Sequence, residues 1–264
     1  LGAIRDPSGT GLRMTYSRLV QEAFRDEWWR SNAICDRAGN QIGNGPPQGL
    51  DQFSLMEANF SLFWGLAIQL YEATLVSSNS PFDRFARGNP GALSPNQQLG
   101  LELFLGGRTQ CATCHGGSEF SHATVHNAGR EFAFASLGVD PSSEDGGRNG
   151  LFKTPQLRNV ELTGPYFHNG KYATLRQVVD FYDRGGDVPN TTIEPLDLLE
   201  SEKNALVDFL IALTDPRVRF QRAPFDHPSL NPANRAPLPA VGARGTIAPL
   251  PTFLGLSPFH PGRP

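Results

Sequence analysis

Cys111-Ala112-Thr113-Cys114-His115 decides how the rest of the chain is read. Two cysteines separated by two residues and followed at once by histidine form the attachment signature of a c-type haem. On one tight helical turn the two thiols reach the two vinyl groups of a single porphyrin. The next side chain, His115, then offers an imidazole nitrogen to the iron from below. A redox Cys-x-x-Cys wants a strand before it and a helix after it, whereas Gly116-Gly117 follows here. A zinc site needs a second pair of ligands, and the one remaining cysteine is the distant Cys35. The motif therefore reads as a covalent haem c, with Cys111 and Cys114 as attachment points and His115 as axial ligand.

Working outward, Ser94-Pro95-Asn96-Gln97 combines an N-cap, a proline at the first helical position and a capping-box glutamine. The helix it starts carries Leu99, Leu103 and Phe104 and stops at Gly106-Gly107, just before the motif. Residues 116–173 show almost no periodicity, and a loop of that length is normally functional; here it would wrap the porphyrin. Thr174 caps a short helix with Leu175, Val178, Val179 and Tyr182 on one face, ended by Gly185-Gly186. Ser201 is the expected cap of a last helix striped by Leu206, Phe209, Leu210 and Leu213. The pattern predicts an all-α chain: a class I cytochrome c-like haem domain over 93–215, in which the last helix crosses the one preceding the motif.

Ahead of it, residues 1–92 form a helical N-terminal region. One helix is expected from Thr15 to Trp29, a Gly- and Pro-rich loop over 37–50, and the strongest helix over 52–76, capped by Asp51. Phe53, Met56, Phe60, Phe63, Trp64, Ala67, Leu70 and Tyr71 recur at helical spacing while Leu55, Leu62, Leu66 and Ile68 fill other faces, so most of its circumference should be buried. Residues 216–264 are rich in Pro, Ala and Arg without periodicity and read as an extended tail on the surface or on a partner.

Composition narrows the function classes. The 264 residues carry a net charge of −3 with no basic stripe, which argues against nucleic acid. Eighteen Phe predict a dense aromatic core, and 22 Pro with 28 Gly predict long irregular connections. The longest charge-free apolar run, Ala58 to Tyr71, is too short to span a bilayer. The sequence starts at Leu1 rather than Met, and covalent haem attachment implies assembly outside the cytoplasm. A signal peptide is thus expected in the precursor, with a periplasmic or secreted product. Cys35 reads as a free buried thiol or a bridge to another segment.

Leu93 to Asp215 resembles the C-terminal haem domain of the bacterial di-haem cytochrome c peroxidases, a family that includes the enzyme maturing the quinone of methylamine dehydrogenase. The resemblance is carried by the Cys111–His115 motif, Phe152-Lys-Thr-Pro-Gln-Leu-Arg-Asn159, Leu162-Thr-Gly-Pro-Tyr-Phe-His-Asn-Gly170 and Thr174-Leu-Arg-Gln-Val-Val-Asp-Phe-Tyr-Asp-Arg-Gly-Gly186. Tyr71-Glu-Ala-Thr-Leu-Val76 and Ser80-Pro-Phe-Asp-Arg84 look like the linker before that domain. The resemblance implies two haems, one binding peroxide and one, in the C-terminal domain, passing electrons. This sequence holds one motif, so a second haem-bearing chain or domain is the implied partner, with a redox partner protein and hydrogen peroxide. It further implies His168 beside the haem propionates, and calcium held in part by the backbone carbonyls of Thr163 and Pro165. Tyr182 stands where the family carries its axial methionine, and no methionine follows His115, so Tyr182 is the expected sixth ligand of the iron with His168 the alternative. Arg158 and Lys153 are candidates for pairing with propionates, His122 and His126 lie near the haem edge, and His227 and His260 read as solvated.

Two functions remain open at this level. The chain is either the electron-transfer portion of a di-haem peroxidase or a mono-haem subunit that only carries electrons.

Overall fold

The computed structural model describes residues 6, 12–121, 134–136, 151–167, 169–186, 194–229, 236–242 and 248–262. The chain divides into two compact units: Leu1–Val76 with Asp226–Thr246, and Ser77–Phe225 with Ile247–Pro264. The division falls earlier than the Leu93 boundary drawn from sequence, and the residues beyond 216 are shared between both units.

In the first unit, α1 (Tyr16–Ala23) is capped by Thr15, whose hydroxyl accepts from Arg18 N at 3.2 Å. The single helix expected to Trp29 breaks at Phe24 and Arg25, both extended, and restarts as α2 (Asp26–Trp29). The Trp29 indole takes the Phe24 carbonyl at 3.2 Å, and Asp26 and Glu27 favour a new N-terminus there. The glycine-rich segment read as loop contains a strand. β1 (Ala33–Cys35) pairs antiparallel with β2 (Gln41–Asn44) and, on its other edge, with β3 (Phe53–Ser54). The Asp36 carboxylate closes the turn by accepting from Ala38 N and Asn40 N at 2.9 and 2.8 Å. Strict all-α therefore does not hold; the chain is mostly helical with a small sheet and, in the second unit, one hairpin.

The expected 52–76 helix is two helices, α3 (Leu55–Ala58) and α4 (Phe60–Glu72). Its cap is Ser54, not Asp51: Ser54 and Glu57 form a reciprocal capping box. The Asn59 amide then takes the Leu55 carbonyl at 3.0 Å and ends α3. Burial corrects the expectation more sharply. Phe63 is the one buried side chain of α4, against Phe24 at 4.9 Å, whereas Leu62, Trp64, Ile68, Leu70 and Tyr71 are exposed.

The second unit opens with α5 (Pro81–Ala86) and α6 (Pro95–Leu105), whose Ser80–Asp83 and Ser94–Gln97 capping boxes are both formed. After α7 (Cys111–Cys114) come the hairpin of β4 (Phe134–Ser136) and β5 (Leu151–Lys153), then α8 (Leu175–Asp183), α9 (Glu200–Ile211) and α10 (Pro216–Arg219). α9 starts at Glu200 rather than after Ser201, because the Glu202 carboxylate accepts from Leu199 N at 2.8 Å. α6 and α9 cross so closely that a β-carbon on Gly100 would sit 2.0 Å from the Ala205 carbonyl oxygen. This is the crossing expected of the last helix and the one before the motif. Phe82, Phe104, Phe120 and Phe209 interlock around it, with centroids from 5.0 to 6.2 Å. Leu175, Val179, Leu206, Leu210 and Leu213 complete the core. Burying such side chains contributes roughly 1.5–3 kcal/mol each.

Candidate haem site

α6 ends at Gly106, and Gln110 N returns to its carbonyl at 3.1 Å, so the chain turns sharply into the motif. Gln110 is left-handed (φ 51°) and Cys111–Cys114 form a single helical turn closed by His115 N on Cys111 O at 2.9 Å. Both cysteines are free and half-buried. Burial pushes both thiols above their ordinary values, and Cys114 adds a smaller upward push on Cys111. A nucleophilic redox pair needs the opposite, a stabilised thiolate. The geometry suits cysteines consumed as thioethers.

His115 is oriented from behind. Its Nδ1 lies 3.0 Å from the Phe120 carbonyl oxygen. With Nδ1–H donating to that carbonyl, Nε2 is the nitrogen assigned to metal, the usual arrangement of a ligating imidazole. Phe120 itself has φ 52°, an uncommon conformation for a side chain of its size. Its ring is buried among Phe82, Phe104 and Phe209, and that packing holds the backbone so that its carbonyl faces His115. Gly117 (φ 75°) supplies the turn that precedes it. Sequence reasoning missed Phe120; two glycines followed by a lone apolar residue after the motif were the available signal.

Tyr182 comes from α8. The Thr174–Gln177 capping box begins this helix, and Gly185 and Gly186, both at positive φ, end it by donating to Tyr182 O and Phe181 O at 3.1 and 3.0 Å. The core face differs from the expected one: Phe181 is fully buried, and Val178 is half-buried. Tyr182 is half-buried as a residue, but its hydroxyl is desolvated, which drives its ionisation far above the ordinary value. Charge on Cys111 and Cys114 adds to that shift, which brings the hydroxyl into the neighbourhood of both thiols. Phe181 and Phe167 flank its ring at 5.3 and 6.4 Å. The Tyr182 hydroxyl is thus within electrostatic reach of Cys111 and Cys114, which His115 directly follows, and this donor set suits one covalent haem c: two thiol anchors, an oriented imidazole and a buried phenol.

The remaining expectations fare differently. Arg158, the candidate for a propionate, is engaged with groups of the protein itself. Its Nη1 donates to both Asp83 oxygens at 3.0 Å and to Ser77 O at 2.9 Å, and its Nε to Ser118 O at 2.9 Å. It is an internal clamp between the start of the unit and the loop after the motif. Thr163 and Pro165 lie on an exposed turn with a cis Gly164–Pro165 peptide, and the Thr163 hydroxyl donates to Val160 O at 3.0 Å. No group of three or more His, Cys, Asp or Glu side chains suited to a metal ion occurs among the described residues. His168, His122, His126 and the Lys153 side chain lie outside the described residues. His260 is exposed and His227 half-buried. Among the described residues no helix is long and apolar enough to cross a membrane.

Comparison with known proteins finds cytochrome c peroxidases among the relatives. The chain is 39% identical over 172 residues to the cytochrome-c peroxidase IdrP2 of Denitromonas iodatirespirans, covering 54% of this chain and 46% of that protein. It is 35% identical over 212 residues to IdrP1 of Pseudomonas sp. (strain SCT), covering 66% and 54%. It is a relative of the bacterial di-haem cytochrome c peroxidases. The methylamine utilization protein MauG of Methylorubrum extorquens is 37% identical over 153 residues, covering 56% and 42%. No family model matches the chain. The chain spans about half the length of the curated relatives it matches.

Proposed function

We propose that this chain is the c-type haem electron-transfer portion of a di-haem cytochrome c peroxidase-like oxidoreductase, with a cytochrome c-like fold over its second unit. The reading is supported by a backbone-oriented His115 within the Cys111–His115 motif and by a desolvated Tyr182 hydroxyl in electrostatic reach of Cys111 and Cys114. When bound, the haem supplies a one-electron centre exchanging electrons with a second haem and a redox partner protein. The chain's own residues do the rest. Cys111 and Cys114 hold the group covalently, Phe120 fixes the imidazole, and Phe181 with Phe167 keeps water from the Tyr182 side. Tyr182 is the sixth ligand in this reading. A bound ferric ion favours phenolate over phenol, and an anionic oxygen stabilises the oxidised iron.

The partner in this reading is a second haem domain, where hydrogen peroxide is reduced. The exposed apolar surface of α4 (Leu62, Trp64, Ile68, Leu70 and Tyr71), which runs around more than one face of the helix, is the surface proposed to meet it. Covalent haem attachment assigns the protein to the periplasm or to secretion. The backbone carbonyls of Thr163 and Pro165 are offered to calcium, whose hard-cation chemistry suits them.

Haem staining after denaturing electrophoresis should mark this chain, and an unstained band ends the proposal. In loaded protein, Tyr182→Phe should shift the ferric absorption spectrum and admit cyanide; a spectrum like wild type would transfer the ligand role to His168. Native mass spectrometry should find two haems in the assembly, whereas one six-coordinate haem would leave a simple electron carrier.

A further inference from the structure

The segment beyond residue 247, expected as part of an extended tail on the surface or on a partner, is a strap on the second unit. Leu250 N donates to Arg219 O at 2.6 Å, anchoring its start beside α10. Phe253 then packs against Gly164, so tightly that a β-carbon on Gly164 would lie 2.8 Å from that of Phe253. Farther on, the strap reaches the first turn of α8. Its Pro258 carbonyl accepts from Arg176 N at 2.9 Å, satisfying an amide that the helix itself cannot pair. Its His260 carbonyl accepts from the hydroxyl of Thr174, the N-cap, at 2.5 Å. Phe259 packs against the hydrophobic core, and Gly262 touches the Gln177 amide of the capping box.

The contacts of Phe253, Pro258, His260 and Gly262 fall on the two elements that bracket Tyr182. One is the turn through Gly164, which leads to Phe167; the Phe167 ring lies 4.6 Å from Phe181 and 6.4 Å from Tyr182. The other is α8, which carries Tyr182 itself. We infer that the Phe253–Gly262 strap positions Tyr182 beside the Cys111–Cys114 pair, with Phe259 as the principal positioning residue and Phe253 as its counterpart on the Gly164 turn. This rests on the reading of Tyr182 as sixth ligand. A helix whose first turn is tied at three points cannot tilt without breaking them, so the phenol stays beside the thiols. Without Phe259 the strap loses its apolar hold on the core, the ties on α8 loosen, and Tyr182 spends part of its time displaced.

The test uses full-length, haem-loaded protein. Tyr182→Phe first defines the spectrum and cyanide-binding rate of an open sixth position. Phe259→Ala should then show a fraction of that spectrum and bind cyanide faster than wild type, on the order of tenfold, because the open state becomes more populated. Phe259→Leu, which keeps the apolar volume, should restore wild-type behaviour, and Phe253→Ala should move in the same direction as Phe259→Ala. Adding Phe259→Ala to Tyr182→Phe should change neither the spectrum nor the rate. A Phe259→Ala protein that melts earlier but keeps the wild-type spectrum and cyanide rate would overturn the inference, since the strap would then only stabilise. If Phe259→Ala does not load haem, Phe253→Ala carries the same test. If Tyr182→Phe itself has no spectral signature, the ligand reading falls and takes the strap's role with it.

Discussion

Helices α4 and α9 are nearly the same length, thirteen and twelve residues, and their burial runs opposite to their sequences. α4 carries no charge from Phe60 to Tyr71, yet buries Phe63 alone. α9 contains Glu200, Glu202, Lys203 and Asp208, yet buries Ala205, Leu206, Val207, Phe209 and Leu210. The difference lies in the neighbours. α9 has α6 and α8 packed on it within its own unit, while three short strands and three short helices leave most of α4 uncovered. Apolar sequence records how much cover a helix needs. Topology decides whether its own unit provides it.

The two units also differ in how they use charge. In the first, Arg18–Glu22, Arg30–Asp26 and Arg37–Asp51 are all exposed pairs, the kind that contribute little. In the second, Arg158 and Asp83 are about 90% buried, and Asp215 is wholly buried against Arg217 and Asn79 N. Buried pairs of this sort cost most when one partner is removed, about 3–5 kcal/mol.

The largest expected effect is at the α6–α9 crossing. Gly100→Ala places a β-carbon against the Ala205 carbonyl, a backbone atom that cannot swing aside. Chemical denaturation should show a loss of about 2–3 kcal/mol, despite the better helix propensity of alanine. Gly65→Ala in α4 meets nothing within 4 Å and should gain about 0.5–1 kcal/mol. Equal effects at the two glycines would erase the contrast between the helices.

Some of this was readable in the sequence because its causes are local. The Ser94–Gln97 and Thr174–Gln177 capping boxes act across three residues, and the haem motif across five. What escaped reading depends on distant partners. The Phe120 carbonyl aims at His115 only because Phe82 and Phe209, far apart in sequence, hold the Phe120 ring. Arg158 finds Asp83 across 75 positions, which no periodicity announces. Tyr182 could be placed on its helix from spacing, but its nearness to the thiols required the fold. The exposed face of α4 was misjudged because a 3.6-residue pattern measures apolarity, not shelter.

A second effect, intermediate in size, separates the units by pH. Burial alone would raise the Asp215 carboxyl, but hydrogen bonds from Arg217 and Asn79 N outweigh it and hold it below the ordinary range. A depressed carboxyl stabilises the fold at pH values above its unfolded pKa, near 3.9, and that contribution disappears as pH falls through the lower folded value. Thermal melts followed from pH 6 to pH 3 should therefore show the second unit losing stability at the acid end. Asp215→Asn should be less stable at neutral pH and should flatten that acid dependence. A mutant whose acid profile runs parallel to wild type would place the sensitivity elsewhere.

The smallest effect on stability sharpens the comparison most. Leu70 on α4 is 64% exposed, so Leu70→Gln removes little packing from this chain. Its unfolding free energy should change by no more than about 0.5 kcal/mol, as at other surface positions. The same substitution at Leu206 of α9, 4% exposed, would bury an unpaired amide and cost several times more. If α4 meets a second haem domain, the burden of Leu70→Gln falls on assembly instead. Size-exclusion chromatography or native mass spectrometry should then show weaker association, while the melt of the separate chain stays unchanged. A loss of 2 kcal/mol or more in the separate chain would mean that α4 is already covered, and the docking surface would have to be sought elsewhere.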